Sequence, residues 1–281
     1  MFAKSCLDLW KEETKQTNNI ITFCRDLDQA MGNGVSVGLI TEFCGPPGSG
    51  KTQMCLQLCI NVQILPQFGG LGGKALYFDT NFNFDPHRLK EIAAACVRHC
   101  QKLVQIHRKD LNHLIENLTA ETFLDGVYYK HVSEFSELTN EVAQLEQTLK
   151  NGEKIKLVVI DSLSFIIRNS IESTLERIRV NHRLLTQLHA LAQQYKFAIV
   201  ITNDVTTRII SGESASVIVP ALGESHGHKI NQRVLLGPVS SQRAEAATDI
   251  FVAFVEKSLY RPRMAVNFQI SAFGIRGVRN K

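Results

Sequence analysis

Apolar residues fall along the chain in two recurring patterns. Short, nearly continuous apolar runs occupy 39–44 (LITEFC), 74–79 (KALYFD), 156–161 (KLVVID) and 197–202 (FAIVIT), and 126–131 has a similar look. Runs this short, bounded by polar or glycine-rich residues, predict strands buried on both faces. Between them lie longer segments of helical character: 51–63, 85–107 (opened by Pro86), 133–150 and 174–195. In 133–150 the residues Phe135, Leu138, Val142, Leu145 and Leu149 recur at spacings of three and four, one face of an amphipathic helix. From Arg233 onward the pattern changes to strands without long helices: RVLL, DIFVAFVE and MAVNFQI. Strands alternating with helices predict an α/β fold, a central, mostly parallel twisted sheet flanked by helices. The strand-only end predicts antiparallel strands added at one sheet edge. Ligands in such sheets bind beyond the carboxyl ends of the strands. No repeat, low-complexity block or dividing linker interrupts the chain, and 69–73 (GGLGG) reads as a loop.

Composition narrows the class. With 281 residues, 44% hydrophobic and 21% charged, the chain is neither a disordered tail nor a small disulfide-stapled domain. Lys and Arg total 31 against 27 acids, a net +4 that permits a phosphate-rich partner without demanding one. No secretory signal is visible at the N-terminus, and no apolar run approaches ~18 residues, so no membrane association is expected. The seven cysteines are odd in number and scattered, as expected for reduced thiols. Cys96 and Cys100 with His99 invite a zinc reading, but their spacing is wider than the usual Cys-x-x-Cys knuckle, and buried small apolar thiols are the better reading.

One motif carries chemistry. Gly45-Pro46-Pro47-Gly48-Ser49-Gly50-Lys51-Thr52 matches G-x-x-x-x-G-K-[ST] in full and sits between a predicted strand and a predicted helix. Glycines there let backbone N–H groups turn inward to cradle phosphate oxygens, helped by the positive end of the new helix. Lys51 would reach the β/γ-phosphates of ATP, and the Thr52 hydroxyl would bind Mg²⁺. Asp161, ending the run KLVVID, is weak as a signal alone. Paired with the phosphate loop it becomes the expected second Mg²⁺ residue. Ser162 reads as a cap rather than a nucleophile.

The order GPPGSGKTQMCLQL, ALYFDT, KLVVIDS, FAIVITND resembles the ATPase core of the RecA-like eukaryotic DNA-repair recombinases and their paralogues. The likeness is strongest to the C-type paralogue branch. It extends to Ile20-Ile21-Thr22-Phe23-Cys24 with Leu27-Asp28, and to Pro220-Ala221-Leu222-Gly223-Glu224-Ser225 with Gly227-His228. The resemblance implies a RecA-like P-loop core over 20–281, with 1–19 as a lead-in and partner segment, and without the family's small N-terminal helical domain. It further implies a nuclear role in homologous recombination and double-strand-break repair, mitotic and meiotic. The partners it implies are other recombinase paralogues, the recombinase filament and single-stranded DNA.

Two departures bear on turnover. Where the family places the glutamate that activates water, this chain has Asn81, an amide that cannot accept the proton. Where the family has a glutamine that senses the γ-phosphate, it has Asp204, which a γ-phosphate would repel unless Mg²⁺ or a basic residue screens it. Both leave the cradle intact, so ATP is expected to be bound well and hydrolysed slowly or hardly at all. By position, 168–174 and 206–219 match the family's DNA-facing loops, the second expected to be mobile. Arg168, Arg208 and Lys229 are DNA-contact candidates, with Arg233 just beyond; a solvated surface charge is the competing reading of each. Neither loop carries a stacking aromatic, so weak, salt-sensitive DNA binding is expected. Phe68 is read either as an adenine-stacking residue or as a buried one. Leu7, Leu9 and Trp10 could dock on a partner or anchor a core. The basic end from Arg276 to Lys281 reads as a solvated tail. The rival readings are a self-sufficient strand-exchange filament, disfavoured by Asn81, Asp204 and the missing N-terminal domain, and a RecA-fold motor or kinase outside recombination.

Overall fold

The apolar runs become the middle of one nine-stranded sheet. The computed structural model of the chain describes residues 5–7, 19–107, 109–209, 216–239 and 250–278. A short pairing of β1 (Asn19–Ile20) with β2 (Val35–Ser36) brackets helix α1 (Arg25–Met31). Strand β3 (Ile40–Cys44) then feeds α2 (Lys51–Asn61). Strand β4 (Lys74–Asp79) is followed by α3 (Pro86–His107), α4 (Asn112–Ile115) and α5 (Ala120–Asp125). Next come β5 (Val127–His131), α6 (Phe135–Lys150), β6 (Ile155–Asp161), α7 (Leu163–Ser170) and α8 (Thr174–Tyr195). Strand β7 (Ala198–Asn203) runs into a ribbon of β8 (Val205–Ile209) and β9 (Ser216–Pro220), then α9 (Gly223–Lys229). The chain closes with β10 (Gln232–Pro238), β11 (Ile250–Lys257), β12 (Met264–Ser271) and β13 (Gly274–Gly277).

The strand order is β13-β12-β11-β10-β3-β7-β6-β4-β5. From β10 to β5 every pairing is parallel, and β11, β12 and β13 continue antiparallel from β10. The expected architecture is therefore present, with a fourth added strand, β13, that the sequence pattern did not single out. Side chains of a strand alternate between faces, so a strand covered on both sides is apolar throughout. In β6, Leu157 and Val159 enter the core beneath α1, α2 and α3, while Val158 and Ile160 enter the core beneath α6, α7 and α8. On α6 the five residues read at helical spacing are all buried. Ser162 caps α7 by accepting from Phe165 N at 3.2 Å, as expected.

Two local expectations are revised and two others are narrowed. Much of the segment expected to be a mobile loop is the β8–β9 ribbon. Its β-branched residues (Val205, Thr206, Thr207; Val217, Ile218, Val219) favour strand, and 210–215 lie outside the described residues. The end of the chain is not a free tail: Arg276 lies in β13, its guanidinium over the Phe23 ring at 5.0 Å, while 279–281 lie outside the described residues. Phe68 packs against the core but is only half-buried. Leu7 is exposed, and Leu9 and Trp10 lie outside the described residues. The cysteines are free thiols, buried except Cys6, and among the described residues no cluster is set to hold a metal. Nor is any described helix long and apolar enough to cross a membrane.

The α1 region supplies a pH test. Asp28 accepts a hydrogen bond from Thr22 N at 2.7 Å, yet burial outweighs it and pushes the carboxyl up to about 6. An acid held above its unfolded pKa binds its proton more tightly folded than unfolded. This group's contribution to stability therefore falls as pH rises from about 4 to about 6, and stays reduced above that. Asp28→Asn keeps an oxygen acceptor for Thr22 N and removes the titration. Its thermal stability relative to wild type is expected to rise by about 2–3 kcal/mol between pH 4 and 7. Parallel melting curves at all pH values would contradict this.

Candidate nucleotide-binding site

The phosphate-loop motif leaves the carboxyl end of β3 and opens α2, where its residues face a cavity of about 530 Å³. Gly48 and Gly50 have φ of +78° and +91°, left-handed conformations that side chains disfavour. At Gly45 a Cβ would come within 2.3 Å of the Leu236 carbonyl oxygen. The loop's own atoms fit a polyphosphate. Ser49 Oγ is buried with no hydrogen-bond partner among the described residues, and the glycines leave the backbone bare toward the cavity. An anion there meets the N-terminal end of α2, whose dipole favours negative charge.

Asp161 and Asp204 organise the charge around this loop. Asp161 Oδ2 accepts from the Thr52 hydroxyl at 2.7 Å and from Tyr77 OH at 2.7 Å, and Oδ1 accepts from the Thr202 hydroxyl. Burial, then the Asp161 charge, hold the Tyr77 phenol well above its usual range, so it remains a donor. The pair expected to hold Mg²⁺ is thus already in contact. Lys51 Nζ donates to the carbonyls of Gly45 (2.7 Å) and Pro46 (3.1 Å) and pairs with Asp204 Oδ1 at 3.2 Å. Asp204 Oδ2 accepts from Ser164 Oγ of α7 at 2.9 Å. The basic residue that screens the Asp204 carboxylate is the loop lysine itself.

Asn81 lines the same cavity. Its turn is held by the buried Asp79, which accepts from the backbone N–H of Asn81 (3.2 Å), Asn83 (3.3 Å) and Phe84 (3.1 Å). Thr80 exchanges two hydrogen bonds with the Ser162 backbone, which fixes the turn to the end of β6. The side chain is therefore placed, and Asn81 Oδ1 is buried without a partner among the described residues. Tyr77, Thr202, Ser164 and Asp79 were not singled out in the sequence. Their only signal is a polar atom at or near the carboxyl end of an apolar strand, or just after one.

A second buried polar cluster lies behind the loop. Glu42, fully buried on β3, meets His226 Nε2 of α9 at 2.7 Å, Asn203 Nδ2 at 2.8 Å and the guanidinium of Arg233. His226 Nδ1 lies 2.9 Å from Asn181 Nδ2 of α8, and Arg233 also reaches Glu256 at 3.3 Å. Burial opposes ionisation of Glu42, but the hydrogen bond and charge of His226 and the charge of Arg233 outweigh it and hold the carboxyl below its ordinary range. Arg233 is therefore a core ion-pair residue, which removes it from the DNA-contact candidates. Of the others, Arg168 is exposed in the last turn of α7, Arg208 forms an exposed pair with Glu224 at 2.9 Å, and Lys229 ends α9 half-buried.

In comparison with known proteins, residues 13–276 match the family model described as Rad51. The chain is 35% identical over 274 residues to "DNA repair protein RAD51 homolog 3" of Cricetulus griseus, covering 97% of this chain and 72% of that protein. It is 34% identical over 274 residues to the protein of the same name from Dictyostelium discoideum, covering 98% and 69%. With "DNA repair protein RAD51 homolog 2" of Homo sapiens it shares 28% identity over 248 residues, 78% of this chain and 60% of that protein.

The buried cluster generates a stability prediction. Arg233→Met removes the guanidinium from the buried Glu42, leaving it with His226 and Asn203, and is expected to cost about 3–5 kcal/mol in chemical denaturation. A loss below about 1 kcal/mol would mean that the pair does not hold β3 to β10.

Proposed function

The chain belongs to the Rad51 family, and from that premise we propose that it acts as an ATP-binding recombinase paralogue that binds its nucleotide well and hydrolyses it slowly or hardly at all. The observation that carries this reading is the pairing of an intact phosphate loop with Asn81 in the place of the family's water-activating glutamate, its amide oxygen buried and unpartnered. The loop backbone and Lys51 would bind the phosphates, and Thr52 with Asp161 would hold Mg²⁺. Mg²⁺ held by these two residues would supply positive charge against the phosphates. An amide at position 81 can orient a water but cannot take its proton, and loss of a positioned base costs ~10²–10⁴ in rate.

ATP then serves as an assembly ligand rather than a fuel. The proposed work is in the nucleus, in homologous recombination and double-strand-break repair, mitotic and meiotic. There the chain joins other recombinase paralogues and assists the recombinase filament on single-stranded DNA. The curated relatives support the repair role, since two carry the name RAD51 homolog 3 and one RAD51 homolog 2. Arg168, Arg208 and Lys229 are the proposed DNA contacts.

Calorimetric ATP binding and turnover on one sample test this. Wild type is expected to bind ATP with Mg²⁺ and turn it over barely. Lys51→Ala should lose binding, and Asn81→Glu should gain turnover of about 10²-fold or more at similar affinity. DNA-stimulated hydrolysis at an ordinary enzymatic rate by wild type would overturn the proposal.

A further inference from the structure

Away from the nucleotide loop, a cavity of about 350 Å³ opens between α7, α8 and α9, beside the start of the β8–β9 ribbon. It is within the ~300–1,000 Å³ range of small-ligand pockets. Its walls are aliphatic at Ile167, Ile178, Leu185 and Leu222. Polar atoms stand among them. Asn181, 5% exposed, lines the cavity, and its Oδ1 has no hydrogen-bond partner among the described residues. Thr206 and Ser225 add hydroxyls.

The charge at the cavity is positive. Arg168, Arg177 and Lys229 line it against one carboxylate, Glu224, which Arg208 already pairs at 2.9 Å. Arg177 is engaged with the Ile171 and Arg168 carbonyls. No described residue pairs with Arg168 or Lys229. A cavity with aliphatic walls, hydrogen-bonding groups and unpaired cations in its lining suits a ligand that alternates heterocycles with phosphates. Single strands are bound by such a combination, cations tracking the backbone and bases seated on side-chain surfaces.

We propose that this cavity accepts one unstacked nucleobase of a single strand, with Arg168 and Lys229 on the flanking phosphates. The proposal rests on the single-strand reading above. It supplies the base platform that the absence of aromatics in 168–174 and 206–219 leaves unprovided. The aliphatic walls take the ring face, while Asn181, Thr206 and Ser225 meet the base edge.

The experiment uses the full 281-residue chain and single-stranded oligonucleotides carrying 2-aminopurine, or abasic sites in place of bases. On binding, 2-aminopurine fluorescence is expected to rise as the base leaves its stacked neighbours. Abasic strands should bind about tenfold or more weakly. Ala221→Leu, which fills the cavity, should abolish the rise. Ile178→Asp, which sets a carboxylate on an exposed part of the wall, should do the same without touching the core. Arg168→Ala should lower the salt slope by about 0.7. Tight binding with no fluorescence rise, or a rise that persists in Ala221→Leu and Ile178→Asp, overturns the cavity proposal and leaves the single-strand reading standing. Failure of wild type to bind any single strand overturns both.

Discussion

The carboxylate of Asp161 is the joint on which the nucleotide end of the fold depends. Three hydroxyls reach it from three elements, Thr52 from α2, Tyr77 from β4 and Thr202 from β7. A hydrogen bond to a charged acceptor is worth about 1.5–3 kcal/mol, and those from Tyr77 and Thr202 are buried. Asp161 therefore fixes the first turn of α2, and with it the phosphate loop, against the ends of the parallel strands. Just after it, the Ser162 backbone locks the Asn81 turn through Thr80. The loop, the Thr52–Asp161 pair and the Asn81 turn thus share one rigid frame.

Within that frame, on the proposed function, the chain keeps what binds and alters what turns over. The glycine conformations, the buried Ser49 hydroxyl and the Thr52–Asp161 pair are those of a polyphosphate cradle. Asn81 is as well positioned as a base would be, yet is chemically unable to act as one. Asp204 adds a second effect. Its carboxylate satisfies Lys51 when no phosphate does, so an incoming triphosphate has to compete for that lysine. It then faces an uncompensated negative charge, worth about 1–4 kcal/mol at 4 Å between water-like and protein-like dielectrics. A diphosphate ends one phosphate short of this conflict.

The parts of this arrangement that depend on periodicity and contiguity were legible in the sequence. The apolar runs give the sheet, the spacing from Phe135 to Leu149 gives the buried face of α6, and the eight-residue motif gives the loop. What depends on distant partners was not legible. Glu42 is separated by 184 residues from His226 and by 191 from Arg233, and nothing local distinguishes a buried Arg233 from a DNA-facing one. Arg276 looked like part of a solvated tail because strand β13 is short and follows directly on β12 through a turn. The base-sized cavity arises where α7, α8 and α9 meet, and no single segment encodes it.

The most direct test of the account is the affinity of wild type and Asp204→Gln for ATP and for ADP, each with Mg²⁺, by calorimetry. If Asp204 competes with the terminal phosphate for Lys51, the substitution tightens ATP about tenfold more than ADP, a difference of about 1.4 kcal/mol. Equal changes for the two nucleotides, or none, would contradict the competition and remove Asp204 from the reading of the site.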